Sequence, residues 1–187
     1  MKTQSHPTIR KAQRVVGRTL VFRNAKVDDA EFILSLRTDE IKSRYLSKTL
    51  PDIDAQRAWL DEYQTGQGQA YFIIEYQREA IGTVRLYDAR GDSFCWGSWI
   101  LKEGRPSHAA MESTLMVYAY ACNQLGFKAA HFDVRKGNEK VWQFHERFGA
   151  RMVNETDLDY YYVLELTAIV ESFERYKKFL PDGVYVE

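Results

Sequence analysis

Hydrophobic and polar residues alternate along this chain in patterns that predict both strands and helices. A β-rich run begins at Thr19, and a segment with helical periodicity and acidic residues at its start follows from Asp28 to Leu36. Two-residue alternation and β-rich composition predict further strands at residues 70–75, 80–87, 93–101, 151–154 and 160–166. Helical spacing predicts the remaining helices at residues 54–65, 107–125, 138–148 and 168–179. With a short strand between the third and fourth helices, the order β-α-α-β-β-β-α-β-α-β-β predicts a mixed α/β (α+β) fold.

Length and composition are those of one globular domain. The chain has 187 residues, of which 45% are hydrophobic, which is enough for one sizeable core. Residues 1–17 carry no periodic pattern and are predicted to form a flexible tail. Residues 18–187 are predicted to form a single domain that ends in a helix. The 26 basic and 26 acidic side chains cancel, which argues against a nucleic acid as partner.

The cysteines and the apolar runs indicate a cytoplasmic protein. Cys95 and Cys122 lie in apolar segments without the spacing of metal ligands, so we expect neither a disulfide nor a bound metal. No apolar run has the length of a transmembrane helix, and the basic N-terminus lacks the hydrophobic core of a secretory signal. We therefore expect no membrane partner.

An irregular segment lies between the first two predicted helices. This lid segment, Arg37 to Pro51, interleaves basic side chains with Tyr45 and Leu46. Two interpretations fit such a composition, a substrate lid and a solvated loop.

Residues 105–149 contain a turn, a long helix, a short strand and a second helix, the layout of a nucleotide-cofactor crossover. Small residues from Ser107 to Ala110 surround His108 at the start of the long helix, where free backbone N–H groups can meet a phosphate. Asn138 is a good N-cap for the second helix, whose apolar stripe turns His145 inward. An inward histidine is either a core residue or a catalyst.

The segment from Trp96 to Ala150 resembles the cofactor-binding half of the GCN5-related N-acetyltransferases (GNATs), within the branch of ribosomal-protein and amino-sugar acetyltransferases. The family's loop motif, Gln/Arg-x-x-Gly-x-Gly/Ala, aligns with the run that starts at Arg105 and reaches Ala110, and Glu112 follows it. The family's Asn-x-x-(Ala/Ser)-x-x-hydrophobic-Tyr-Glu-(Lys/Arg) element aligns with the run that starts at Asn138. His108 stands at the family's loop glycine and His145 at the family's tyrosine.

The resemblance implies acetyl-CoA as cosubstrate, no metal, and a mostly antiparallel sheet of about six or seven strands flanked by helices. Its fourth strand would splay away from its neighbour near Gly97, an interior glycine of the kind that often marks a bulge or a close backbone approach. The residues it implies for cofactor binding are Trp99, Ile100, Leu101, Arg105, Ser107, His108, Ala109, Ala110, Asn138 and Lys140.

The resemblance also implies direct acyl transfer to a primary amine. His145 is the candidate general acid for the departing thiolate, since an imidazole can protonate a leaving group near neutral pH. The sequence does not identify the base that deprotonates the amine, since Glu75, Glu103, His131 and a water chain are all candidates. We name Glu103 as a weak candidate.

The lid segment is similar to that of enzymes that acetylate the 4-amino group of nucleotide-linked deoxysugars. Arg37 and Arg44 would meet the diphosphate and Tyr45 would stack on a base or sugar. A protein N-terminus or a polyamine is the alternative acceptor, and a non-catalytic acyl-CoA-binding module is the alternative of another class. The tyrosine-rich last strand and the C-terminal helix are candidates for a homodimer surface or for core.

Overall fold

The computed structural model describes residues 5–187, so the first four residues of the predicted tail lie outside the described part. Nine strands form one sheet in the order β7-β8-β6-β5-β4-β3-β2-β1-β9. The strands are β1 Arg14–Val16, β2 Leu20–Asn24, β3 Ala70–Tyr76, β4 Glu79–Arg90, β5 Ser93–Leu101, β6 Ala129–Arg135, β7 Arg151–Glu155, β8 Asp159–Glu165 and β9 Tyr185–Val186. The helices are α1 Ala30–Arg37, α2 Ile53–Thr65, α3 Ala109–Tyr118, α4 Glu139–Arg147 and α5 Leu166–Arg175, with a π-helical turn at Ala119–Gln124 and 3-10 turns at Val27–Asp29 and Lys177–Phe179.

The sheet separates two hydrophobic cores. The larger core lies between the sheet and α3, α4 and α5, where Phe94, Trp96 and Tyr118 are buried. The smaller core, which includes Ile33 and Leu60, lies between the other face and α1 and α2. Only β5 and β6 pair in parallel within this sheet, so the mixed and mostly antiparallel architecture predicted from the sequence is confirmed.

The fourth predicted strand, β5, separates from β6 soon after it begins. The two strands pair only at Ser93 with Ala129 and at Phe94 with Ala130. Beyond these pairs no strand formed by residues 5–187 lies beside the β6-facing edge of β5. The predicted splay is confirmed, and it opens a gap in the middle of the sheet.

A β-bulge lies in β5 at the same level as this gap. Thr83 pairs with Ile100 and Arg85 pairs with Gly97, so two residues of β5 stand opposite one residue of β4. Ser98 occupies the bulge with a φ of 48°, in the left-handed region. The bulge therefore lies one residue after the interior Gly97, a residue of the kind that often marks a bulge or a close backbone approach.

The bulge changes which side chains of β5 share a face. Residues three apart in a regular strand point to opposite faces, because the side-chain period is two. The extra residue puts Trp96 and Trp99 on the same face, with their ring centroids 5.5 Å apart. Trp96 Nε1 donates to Tyr118 Oη (3.2 Å) and Trp99 Nε1 donates to Ser113 Oγ (3.2 Å), so both indoles fix β5 to α3.

The prediction of a flexible tail up to residue 17 is wrong for residues 9–16. Ile9 and Val15 are buried, and the hydroxyl of Tyr120 donates to the backbone oxygen of Arg10. The strand β1 pairs with β2 and with β9 at the other end of the chain. The short strands β1 and β9 raise the number of strands to nine, from the six or seven expected. Segments of two or three residues are too short to show a two-residue periodicity, and they gain their stability from distant partners.

Helix α3 is buried almost all round, as its apolar and small residues require. Its one acidic residue, Glu112, is fully buried. The Glu112 carboxyl group accepts bonds from the backbone N–H groups of Thr19 (2.6 Å) and Leu20 (2.9 Å) and from the Thr19 hydroxyl (2.7 Å). This contact fixes the N-terminal end of α3 against β2. Within residues 5–187 no helix has both the length and the apolar character needed to cross a membrane.

Replacement of Glu112 by alanine is expected to lower the free energy of unfolding by about 2–4 kcal/mol, because the buried N–H group of Leu20 and the part-buried N–H group of Thr19 lose their acceptor. Glu112→Gln keeps an acceptor oxygen and should cost about 1 kcal/mol. Urea unfolding of both variants checks this, and equal stability of the alanine variant and the wild type would contradict it.

Candidate active site

A cavity of about 300 Å³ fills the gap between β5 and β6. It reaches from the α4 face of the sheet, where Trp99, Phe132 and His145 line it, to the opposite face, where it is lined by Asp133 and Ser98. We call it the gap cavity. It passes through the sheet at the point where the strands have no backbone partner, which is the geometry of a tunnel for an extended ligand.

A second cavity of about 570 Å³ lies on the α1 and α2 face, beneath the lid segment. We call it the lid cavity. It shares Arg37, Ser47, Tyr87 and Ser98 with the gap cavity, so the two spaces adjoin. Gly97 makes room at this junction, because a Cβ there would lie 3.0 Å from the hydroxyl of Tyr87.

Arg37 joins the lid segment to the bulge of β5. Its Nε donates to Thr49 Oγ1 (2.7 Å) and its Nη2 to Ser47 Oγ (2.9 Å), while its Nη1 donates to Ser98 Oγ (3.1 Å). The hydroxyl of Thr83 on β4 donates to the backbone oxygen of Ser98 (2.8 Å) and so also holds the bulge. Arg37 thus positions the lid and the strand relative to each other, as well as lining both cavities.

The lid cavity carries a positive charge bias. Arg37, Lys48 and Arg85 line it, and among its lining residues the only acid is Asp52. The Asp52 carboxylate already accepts the backbone N–H groups of Asp54 and Ala55 as the N-cap of α2. Three cationic side chains thus face a single carboxylate, which caps α2.

Arg85 is held by rings rather than by an acid. Its guanidinium lies 5.1 Å from the ring centroid of Trp59 and 5.0 Å from that of Tyr87, and its Nε donates to Gln69 Oε1 (2.8 Å). Its Nη groups have no hydrogen-bond partner within residues 5–187, and burial lowers its pKa. Nearby, the buried Tyr71 hydroxyl also has no partner among the described residues. A half-buried, unpaired guanidinium beside aromatic rings suits an anionic ligand with a planar part.

His145 faces the gap cavity from α4, as its helical stripe predicted. Its ring is 5% exposed and packs against Phe132, with centroids 4.3 Å apart, and against Trp96 and Phe144. Burial lowers the pKa of His145 from 6.5 to about 3, and its Nδ1 has no hydrogen-bond partner in the described chain. The ring is therefore neutral near neutral pH, which removes the imidazolium that the general-acid interpretation requires.

The start of α3 offers the groups that a phosphate needs. Ala109 N donates to Pro106 O and Glu112 N donates to His108 O, whereas the backbone N–H groups of Ser107, His108, Ala110 and Met111 have no partner within residues 5–187. The ring of His108 turns away from these N–H groups, toward Thr19 Oγ1 (2.7 Å) and the ring of Tyr76. The histidine that replaces the family's glycine thus leaves the helix N-terminus open.

The structure brings together only part of the residues predicted for the site. Those that line the gap cavity are Arg37, Tyr45, Trp99, Asn138 and His145. Those predicted site residues that line neither cavity are Arg44, Ile100, Leu101, Glu103, Arg105, Ser107, His108, Ala109, Ala110 and Lys140. Ile100 and Leu101 lie at the end of β5, and the run from Arg105 to Ala110 leads into the start of α3, whereas Arg44 is exposed and stacks on Tyr45.

The base candidates from the sequence are poorly placed. Glu103 is exposed in the turn after β5, and Glu75 forms an ion pair with Arg23 (2.8 Å). His131 contacts Ser93 Oγ (2.7 Å) and Asp88 Oδ2 (3.4 Å). None of the three lines either cavity.

Four residues of the site were missed by sequence reasoning: Trp59, Arg85, Tyr87 and Asp133. Arg85 and Tyr87 alternate with buried Val84 and Leu86 along β4, which assigns them to one face but not to a cavity. Only the position of α2 over that face shows that they are part of a site.

Comparisons with known proteins identify the family. The acetyltransferase (GNAT) domain family matches residues 19–151. Among solved structures, apo FdhC, described as a nucleotide-linked sugar GNAT, is 39% identical with a TM-score of 0.80, over 89% of this chain and 98% of that chain. A search of curated protein sequences gave no match.

Two more distant structures share the fold. A GCN5-related N-acetyltransferase from Brucella melitensis is 13% identical with a TM-score of 0.77, over 96% of this chain and 91% of that chain. Spermidine N-acetyltransferase from Vibrio cholerae, in complex with CoA and spermine, is 16% identical with a TM-score of 0.70, over 81% of this chain and 98% of that chain. The family match, the splayed sheet and the gap cavity agree, and the chain belongs to the GNAT family of acetyltransferases and is an acyltransferase.

Proposed function

We propose that this enzyme transfers an acetyl group from acetyl-CoA to the amino group of a nucleotide-linked amino sugar. The observation that carries the proposal is the junction between the gap cavity and a lid cavity lined by unpaired cationic and aromatic side chains. FdhC, which is described as a nucleotide-linked sugar GNAT and is 39% identical over most of both chains, supports the same acceptor class. The 4-amino group of a deoxysugar is the position that we propose for acetylation.

Acetyl-CoA fits the groups that the site presents. The unpartnered N–H groups at the start of α3 suit its pyrophosphate. The edge of β5 beyond Phe94 has no strand partner, so an extended pantetheine chain can pair there and reach the gap cavity. When bound, acetyl-CoA supplies a thioester carbonyl carbon for attack by the amine. Asn138 lines the gap cavity and makes no side-chain cap bond, so its amide remains available to a ligand.

A nucleoside diphosphate matches the charge and shape of the lid cavity. Arg85 presents its guanidinium without an acid partner, and Lys48 adds a second charge. Trp59 and the unpartnered hydroxyl of Tyr71 offer a flat apolar surface and a hydrogen-bonding group to a base or sugar. Arg37 and Tyr45 take part in the site, and we propose that they order the lid around the acceptor rather than bind the diphosphate alone.

A polyamine fits this cavity less well. It would bring several positive charges to a space that already holds Arg37, Lys48 and Arg85, and like charges in a partly desolvated site repel. The same objection applies, with less force, to a protein N-terminus, which carries one positive charge and no anion.

We also propose that His145 acts as a neutral hydrogen-bonding group beside the thioester, in place of the general acid expected from the sequence. It lines the gap cavity, and its neutral ring can offer one N–H or accept one hydrogen bond. A cytoplasmic location and a homodimer stay predictions from the sequence.

The acceptor proposal predicts thiol release from acetyl-CoA when a nucleoside-diphosphate amino sugar is added. Spermidine and an N-terminal peptide should give turnover at least about 100-fold lower at equal concentration, because each lacks the anion that Arg85 would bind. Steady-state thiol detection measures all three. Turnover with spermidine but not with the sugar nucleotide would contradict the acceptor assignment.

A matched pair of variants localises the anion contact. Arg85→Met should raise the KM for the sugar nucleotide about tenfold to a hundredfold, as expected for lost charge-assisted hydrogen bonds of about 1.5–3 kcal/mol. Arg90→Met removes an exposed arginine from the same strand and serves as control, since Arg90 pairs with Asp88 outside both cavities. Equal KM values for the two variants would remove Arg85 from the acceptor site.

The neutral state of His145 predicts a loss of stability in acid. The unfolded chain binds a proton near the ordinary pKa of 6.5, whereas the folded protein keeps the ring neutral down to about 3, so this stability is present above 6.5 and is lost as pH falls. Between about pH 7.5 and pH 5 the wild type should lose about 2 kcal/mol more than His145→Gln, which does not titrate. Denaturant unfolding at both pH values measures the difference, and parallel losses would show that His145 is not held neutral.

A further inference from the structure

One carboxylate in the gap cavity has no partner. Asp133 and Asp159 both line this cavity, and Asp159 forms an ion pair with Arg135 (3.2 Å). Asp133 makes no salt bridge and no side-chain hydrogen bond with any residue in the described range 5–187. The Asp133 side chain is exposed, and a carboxylate that lines a substrate cavity without a counter-charge suits a cationic group of the ligand.

The alternation of β6 places Asp133 on the acceptor side of the gap. Phe132 and Val134 belong to the core on the α4 face, so the side chain between them lies on the opposite face of the strand. That is the face on which α1, α2 and the lid segment lie. His145 and Asp133 therefore stand on opposite sides of the same opening, the first toward the cofactor path and the second toward the acceptor.

Asp133 lines the gap cavity together with Tyr87, and its charge acts on neighbouring groups. Burial raises the pKa of Tyr87, and the nearby charge of Asp133 adds to the rise. Burial likewise raises the pKa of Cys95 to about 11, with the same carboxylate adding to it. Tyr87 lines both cavities and touches Gly97, the residue before the bulge. Asp133 is thus near the place where the two ligands would meet.

We propose that Asp133 binds the ammonium form of the acceptor amine and removes its proton as the general base of the reaction, an inference that rests on the proposed function. The acceptor would then carry charges of both signs. Its anionic diphosphate would lie toward Arg85 in the lid cavity and its cationic amine toward Asp133 in the gap cavity. The two opposite charges would thus fix the orientation of the acceptor in the site.

The proton and electron balance needs no further reagent. Asp133 takes one proton from the ammonium group, which frees the nitrogen lone pair. The nitrogen then attacks the thioester carbonyl carbon, the C–N bond forms and the C–S bond breaks. The nitrogen loses a second proton as the amide forms, and the departing thiolate takes up one proton, so the net release is the one proton that Asp133 passes to solvent.

The other candidates fit this role less well. Glu75, Glu103 and His131 lie outside both cavities, and Asp159 is neutralised by Arg135. His145 lines the gap cavity, but its depressed pKa makes it a weak base.

The test compares Asp133→Asn with the wild type across pH. At neutral pH the variant should lose at least about 100-fold in kcat/KM for the amine, the usual contribution of a positioned base. The defect should shrink as the pH rises toward the pKa of the acceptor amine, because free amine then needs no base. The dissociation constant for CoA, measured by titration calorimetry, should stay within about threefold of that of the wild type.

The pH profile of kcat/KM also depends on the titration of the groups that face Asp133. The titratable and charged groups on the elements around it are Arg37, Tyr45, Tyr87, Cys95, His131, Arg135, Asp159 and Tyr161. Asp157→Asn, in the exposed turn before β8, removes the same charge outside both cavities and serves as the matched control. Its profile should follow that of the wild type.

The outcomes separate this inference from the acceptor assignment. A defect that is equal at every pH, or smaller than about threefold at neutral pH, would overturn the base role of Asp133 while acetylation of the sugar nucleotide stands. Turnover of the wild type only with other amines would overturn the acceptor, and the Asp133→Asn comparison would then be made with the amine that is used.

Discussion

The site depends on the extra residue that β5 carries at Ser98. A regular strand would place Trp96 and Trp99 on opposite faces, but the bulge brings both indoles to the α3 face, where each donates a hydrogen bond to that helix. On the other face, the side-chain hydroxyl of Ser98 receives a bond from Arg37 and its carbonyl receives one from Thr83. The bulge is therefore fixed from both faces of the sheet, next to the gap that the diverging strands leave.

The two cavities differ in charge, and this difference gives the site a direction. The lid cavity gathers Arg37, Lys48 and Arg85 against the single acid Asp52, whereas in the gap cavity Asp133 and Asp159 balance Arg37 and Arg135. A ligand with an anionic end and a cationic amine satisfies both, and a ligand with charges of one sign does not. Aromatic rings, rather than counter-ions, hold Arg85 in place, so its guanidinium stays available.

The surface that we propose for the cofactor consists of backbone groups more than of side chains. The N–H groups at the start of α3 and the free edge of β5 offer donors and acceptors whatever their side chains are. This explains how His108 can stand at the position of the family's glycine: its ring turns to Thr19, and the N–H groups remain open. The buried Glu112 holds that helix end against β2.

The local pattern of hydrophobic and polar residues predicted most of the fold. The features that it missed depend on contacts between residues far apart in the sequence. The splay of β5 was expected from the resemblance to the GNAT family, and the inward position of His145 follows from a helical stripe in the sequence. The strand β1 was missed because its three residues are stabilised by β2 and by β9 at the far end of the chain. Arg85 and Asp133 were missed because polar residues on one face of a strand look alike until the packing of α2 and the gap shows which of them meet a cavity.

A crystal structure of the enzyme with CoA bound tests the central claim most directly. The account predicts the pyrophosphate on the free N–H groups of Ser107 to Met111, the pantetheine beside β5, and the thiol in the gap cavity next to His145. CoA bound elsewhere, or bound here with β5 and β6 paired along their full length, would contradict it.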